Sequence, residues 1–171
     1  MNGSLYEREL SNILSGNAEA IKKFSKRLDV GSAYAMNQLV SRPFFVTRSA
    51  GSLGADLIAI RNGISLIIEV KSSAKSMIKF TDASGQRQDQ ARRLKELCER
   101  AGLFYIYAYR LKNGEGEPWK LFAMISNPWG NLRMIYDRLA KVGETKNGNY
   151  FLKWEEGTPL SRFLDYLNKV A

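Results

Sequence analysis

Residues 55–71 read ADLIAIRNGISLIIEVK, and this stretch decides the fold. Two apolar runs flank Asn62-Gly63, a pair that tolerates positive φ and closes a two-residue hairpin with the twist antiparallel strands require. With the turn there, paired positions sum to 125, so Arg61 faces Ile64, Ile58 faces Ile67 and Asp56 faces Glu69. Both runs are apolar on both faces, which predicts a sheet covered on its two sides. Directly opposed carboxylates destabilise a strand pair, so a positive group is expected between them. Lys71 lies two residues past Glu69 and therefore on the same face.

The outcome is an Asp, x12, Glu-x-Lys pattern at the open end of a hairpin. Beside it runs the loop RSAGSLG, residues 48–54, whose glycines allow close backbone approach and whose Ser49 and Ser52 offer hydroxyls to a phosphate. Two carboxylates suit a hard cation, Mg2+ with Mn2+ as substitute, which polarises a phosphate and acidifies a bound water. Lys71 could deprotonate that water or steady the negative charge. The second role needs no depressed pKa and is the expected one. Read singly, Asp56 could cap a loop and Glu69 with Lys71 could be an exposed strand pair; the matched register is what lifts the set above that.

Working outward, Ser4-x-x-Glu7 followed by Leu10, Ile13 and Leu14 predicts a capped amphipathic helix ending near Gly16. Ala18 to Leu28 predicts a second helix with Lys22, Lys23, Lys26 and Arg27 on its polar face. Residues 29–42 are ambiguous, with a short helix around Ala33 to Val40, and Pro43 restarts an extended run. Ser84 to Gly102 carries Ala91, Leu94, Leu97, Cys98 and Ala101 at helical spacing and stops at glycine. LFYIYAYR and WKLFAMIS are strands joined by NGEGEP; a helix follows Pro128, then NYFLKW as a strand and a last helix from Leu160 to Val170.

The expected architecture is α/β: a mixed central sheet of about five strands flanked by helices, with the active site at the mouth of the Asn-Gly hairpin. Residues 1–125 would form the core, with an insertion at about 17–42, and 126–171 a strand-helix extension packed on the same domain.

Composition narrows the chemistry. Among 171 residues there are 26 Lys plus Arg, 17 Asp plus Glu and no His, a formal charge of +9 that no titration near neutrality relieves. A polyanion is the implied partner, and a membrane surface the weaker alternative. One cysteine, Cys98, excludes an internal disulfide, and without His there is no imidazole base. No apolar run spans a bilayer and the start MNGSLYEREL is unlike a signal peptide, so an intracellular, cytoplasmic protein is expected.

YERELSNIL, RSAGSLGADLIAI, LIIEVKSS and QARRLKELCERAG, in this order, resemble the archaeal-type Holliday junction resolvases, a branch of the PD-(D/E)xK nucleases with a restriction-endonuclease-like fold. The likeness is strong from Arg48 to Gly102 and looser over the first helix and the tail. It implies that Glu7, Asp56 and Glu69 bind the metal, that Lys71 assists and that Ser52 lies by the scissile phosphate. It further implies DNA contacts from Arg8, Arg48, Ser49 and Gln90, to which the Lys22 and Lys23 run adds a possible backbone track. Family members are homodimers that nick four-way junctions symmetrically. A restriction-like or repair nuclease and a non-catalytic DNA-binding protein are the rivals.

Glu7 has a second reading as the partner of Ser4 in a capping box, and Glu9 is a rival carboxylate; on the helical wheel both flank the apolar stripe, and only the resemblance selects Glu7. Trp119, Trp129 and Trp154 could stack on bases but fit core or dimer surface better. Cys98 reads as packing, and Leu94, Leu97 and Ala101 as a face that could contribute to a dimer contact.

Overall fold

The computed structural model describes residues 2–49, 54–82 and 84–171, with side chains from Leu5 onward. In chain order the elements are α1 (Asn2–Leu14), α2 (Ala18–Ser25), α3 (Val30–Ser41), β1 (Phe45–Arg48), β2 (Leu57–Arg61), β3 (Ile64–Ser73), β4 (Met77–Lys79) and α4 (Gln86–Arg100). They continue with β5 (Tyr105–Leu111), β6 (Trp119–Ala123), α5 (Asn131–Asp137), β7 (Ala140–Lys141), β8 (Gly143–Glu144), β9 (Tyr150–Lys153), β10 (Thr158–Pro159) and α6 (Leu160–Val170).

The hairpin forms in the predicted register: Ile58 pairs with Ile67 and Arg61 with Ile64. Asn62 at φ 43 and Gly63 at φ 80 both occupy the left-handed region that such a turn demands. β3 then pairs in parallel with β5, which requires the crossover that α4 supplies. The central sheet runs β1-β2-β3-β5-β6-β10, with β7 added on β6.

The five long strands are those expected from sequence. The two-residue strands β7 and β10 were not, because they are too short to show a pattern. The expected strand NYFLKW does not join the central sheet; β9 instead pairs with β4 and β8 in a small second sheet.

Two apolar layers cover the sheet. On one face Leu10, Ile13, Met36 and Leu164 pack against Ile68 and Ile106. On the other Ala91, Leu94 and Cys98 pack against Tyr105 and Tyr107, with Phe80 and Leu152. Each fully buried Leu or Ile contributes about 1.5–3 kcal/mol relative to exposure. Residues beyond 125 enter both layers, through Phe163 and Leu167 in the first and Val142 and Tyr150 in the second.

Helix boundaries differ from expectation: α2 stops at Ser25 rather than Leu28, α4 spans Gln86–Arg100 rather than Ser84 to Gly102, and α1 and α3 differ further. α1 begins at Asn2, so Ser4 lies inside the helix and does not hold the cap position assigned to it. The third helix is a full Val30–Ser41, capped by Asp29, whose carboxylate accepts from the Ser32 N–H at 2.9 Å and hydroxyl at 2.8 Å. Its length follows from tertiary contacts that no local pattern shows. Asn168 on α6 donates to the Ala35 carbonyl at 3.0 Å, and Arg61 on β2 donates to the Arg42 carbonyl at 2.7 Å. Cys98 and Leu94 are buried, whereas Leu97 and Ala101 are exposed, so these residues do not share the one face assigned to a dimer contact.

Candidate active site

Glu69 and Lys71 alternate with Val70 on β3. Val70 enters the α1 side of the core, so Glu69 and Lys71 lie on the α4 side, next to Tyr107 in the β3/β5 register. The ladder of β2 and β3 ends at Leu57–Ile68, and Asp56 just before it donates its N–H to the same Ile68 carbonyl at 2.9 Å, one residue off the register that would pair it squarely with Glu69. Asp56 bulges there and still lies close enough for its charge to act on Glu69. The Asp56 carboxylate accepts from the Val70 N–H at 2.7 Å. Lys71 Nζ donates to Glu69 Oε1 at 2.6 Å.

Glu69 is a buried carboxylate, only 7% exposed, and its second oxygen, Oε2, is buried with no hydrogen-bond partner among the described residues. Burial pushes its pKa from 4.5 to about 7; Lys71 opposes the rise and Asp56 adds to it. Asp56 is also raised, first by burial, against the lowering effect of the Val70 N–H, and then by the charge of Glu7. An unpaired buried carboxylate oxygen is costly unless a proton or a cation completes it. The positive group expected between the carboxylates is therefore met only in part, by Lys71 at one oxygen of Glu69.

Glu7 reaches this cluster from α1. Its Oε2 lies 2.5 Å from Arg48 Nη2 at the end of β1, and its charge acts on Asp56. Glu9, the rival, points elsewhere: its Oε1 accepts from Trp119 Nε1 at 2.9 Å and from Arg110 Nε at 3.1 Å. The geometry thus separates two carboxylates that the helical wheel leaves equivalent. Among the described residues no three Asp, Glu or Cys side chains already stand together as a metal cage.

Ser49 borders the site through its N–H, which donates to the Asp56 carbonyl at 2.9 Å. Ser52 lies outside the described residues. Gln90 on α4 meets the end of the same loop, where Gly54 adopts φ +89 and a Cβ would lie 3.3 Å from Gln90 Cγ. The positive φ is what calls for glycine at 54; a Cβ there would only press the flexible Gln90 side chain aside by a few tenths of an ångström. Arg8, Lys22 and Lys23 do not join this cluster; they line a separate cleft between α1 and α2. Of the tryptophans, Trp119 is core, Trp154 is partly buried with Lys120 over its ring at 4.8 Å, and Trp129 is 66% exposed beside Gly102.

Sequence reading missed Tyr107 and Gln88. Tyr107 is buried beside Glu69, shares a 3.0 Å hydroxyl contact with Tyr105, and has its phenol pushed well up by burial. Its place follows from the parallel β3/β5 register, which no local signal fixes. Gln88 is buried and clamps the small sheet, accepting from the Tyr150 N–H at 2.9 Å and donating to the Gly148 carbonyl at 3.0 Å.

A mixed sheet that presents Asp56, Glu69 and Lys71 on a hairpin, with a parallel strand beside it, resembles the core of the PD-(D/E)xK nucleases. The chain belongs to the archaeal Holliday junction resolvase (hjc) family, whose sequence model matches residues 35–171. It is similar in structure to Hjc, a Holliday junction resolvase of the archaeal hyperthermophile Archaeoglobus fulgidus, with 16% identity and a TM-score of 0.48 over 74% of this chain and 91% of that one. No curated protein matches the chain. Among the described residues no helix is long and apolar enough to cross a membrane.

Proposed function

We propose that this resolvase-family nuclease resolves four-way DNA junctions by divalent-metal-dependent hydrolysis, with Asp56 and Glu69 holding Mg2+ or Mn2+. The observation that carries the reading is the buried, unpartnered Oε2 of Glu69 with the Asp56 carboxylate close enough to act on it. A divalent cation fits there because it completes that oxygen and neutralises two carboxylates that otherwise repel. Glu7, paired with Arg48, is the further carboxylate within electrostatic reach. When bound, the ion supplies Lewis-acid polarisation of the phosphate and a more acidic water.

The chain's own residues do the rest. Val70 N–H orients the Asp56 carboxylate, and Lys71 fixes Oε1 of Glu69 so that Oε2 stays free. Lys71 also places an ammonium where the phosphate gains negative charge. Arg48, Ser49, Ser52 and Gln90, around the glycine loop, contact the DNA backbone. Water adds to phosphorus, the 3′ oxygen leaves with a proton, and a 5′-phosphate remains. Two copies of the chain, acting as a homodimer in the cell's interior, make paired nicks.

Asp56→Asn and Glu69→Gln test the site. Each is expected to lower cleavage by at least about 100-fold, while junction binding survives or improves because repulsion of phosphates is reduced. Gel shift and cleavage on one preparation give both readings, and full cleavage by Asp56→Asn would remove the assigned site.

A further inference from the structure

Between α1 and α2, closed by Arg110 of β5 and Pro118, lies a cleft of about 760 Å³. Six cations line it: Arg8, Lys22, Lys23, Lys26, Arg27 and Arg110; the carboxylates are Glu9 and Glu19. Glu9 is engaged by Arg110 and Trp119, and Arg27 donates to the Gly114 carbonyl at 2.6 Å. Arg8, Lys22, Lys23 and Lys26 form no ion pair among the described residues. The lining is not only charged, since Leu5, Ile13, Ala20, Phe24 and Pro118 contribute apolar surface.

Isolated like charges around a concave surface repel one another, so their collection there is unfavourable until an anion enters. The volume exceeds what one small anion fills, and the alternation of cations with apolar surface matches a chain of phosphates joined by sugars. Position adds to this. Glu7 and Glu9 are two residues apart on α1 and so point about 200° apart around it. Glu7 turns to the active site, while Glu9 and Arg8 turn to the cleft. Both helical walls also precede residue 35, where the family match begins.

We propose that this cleft seats the phosphodiester backbone of a DNA strand as a second binding site, on the flank of α1 opposite the catalytic carboxylates. The inference rests on the reading that the chain works on DNA but not on its cutting, so binding is what is measured. A strand held there would anchor one junction arm and α1 with it.

The test uses the full chain carrying Asp56→Asn, with Lys22→Ala and Lys23→Ala added, and labelled junction, linear duplex and single strand. The slope of log affinity against log salt should become shallower by about 1.4–1.8, from two lost phosphate contacts at about 0.7–0.9 each. Lys169→Ala, which removes a surface ion pair with Asp165, should leave it unchanged. Amine labelling of the otherwise unaltered protein should show Lys22, Lys23 and Lys26 protected by DNA, and Lys169 not. Protection by duplex alone assigns the cleft to a paired arm, and protection by single strand as well assigns it to one strand's backbone. An unchanged salt slope with unprotected lysines, or equal protection by inorganic pyrophosphate at the same phosphate concentration, overturns the proposal. Loss of cleavage by Asp56→Asn with an intact cleft signal, or the reverse, tells the two readings apart.

Discussion

Glu69 concentrates the conflict between burial and charge in one side chain. Folding buries it and raises its pKa from 4.5 to about 7, so the folded protein binds this proton more tightly than the unfolded chain. The stability this proton contributes is fully present below the unfolded value and is lost as pH rises through the folded one. Above neutrality, without metal, an ionised Glu69 beside Asp56 therefore destabilises the fold. Glu69→Gln is neutral at every pH and keeps an acceptor for Lys71. In the presence of a chelator it should raise stability at about pH 8 by roughly 1–3 kcal/mol and give little gain at about pH 4. Thermal melts at the two pH values check this. Mg2+ should raise the melting temperature of the unaltered protein at the higher pH and leave that of Glu69→Gln unmoved; an equal gain at both pH values would contradict the role given to burial.

The elements differ in how much of them the chain spells out locally. The β2/β3 hairpin was legible because Asn62-Gly63 fixes its register as far as Leu57–Ile68; the one-residue slip at Asp56 was not, because no local pattern marks it. α4 and α6 were legible from apolar spacing. The β3/β5 pairing, the second sheet and the true length of α3 were not, because each depends on partners far along the chain, such as Asn168 for α3 and Tyr150 for Phe80. Likewise the first helix showed Glu7 and Glu9 as equals, and only their separate neighbours distinguish them. That distinction is measurable. Glu9→Ala leaves the Trp119 indole N–H without its acceptor and Arg110 without its ion pair, so it should cost about 1–3 kcal/mol of stability. Cleavage by the remaining folded protein should persist. Glu7→Gln should do the opposite, with a melting temperature within a few degrees of normal and cleavage reduced at least about tenfold. Should Glu9→Ala abolish cleavage while Glu7→Gln retains it, the two roles are reversed.

At the scale of the whole molecule, a formal charge of +9 favours association with any polyanion and so cannot itself choose a junction. On the reading proposed above, choice of branched DNA comes from geometry: two copies of the chain would hold their sites at a separation and angle that the exchanging strands present and a linear duplex does not. Sequence reading brought Asp56, Glu69 and Lys71 to one end of a hairpin because they lie within 16 residues of one another. Its suggestion of how two copies meet, the face of Leu94, Leu97 and Ala101, fails because Leu94 is buried in the chain's own core. The most direct measurement is cleavage of end-labelled four-way junction and of linear duplex of equal length, side by side, with Mg2+ and with chelator, at salt high enough to suppress nonspecific binding. Paired symmetric nicks near the branch point, abolished by chelator and at least about tenfold weaker on the duplex, are the expected result; equal cutting of both DNAs, or cutting that survives the chelator, would contradict the account.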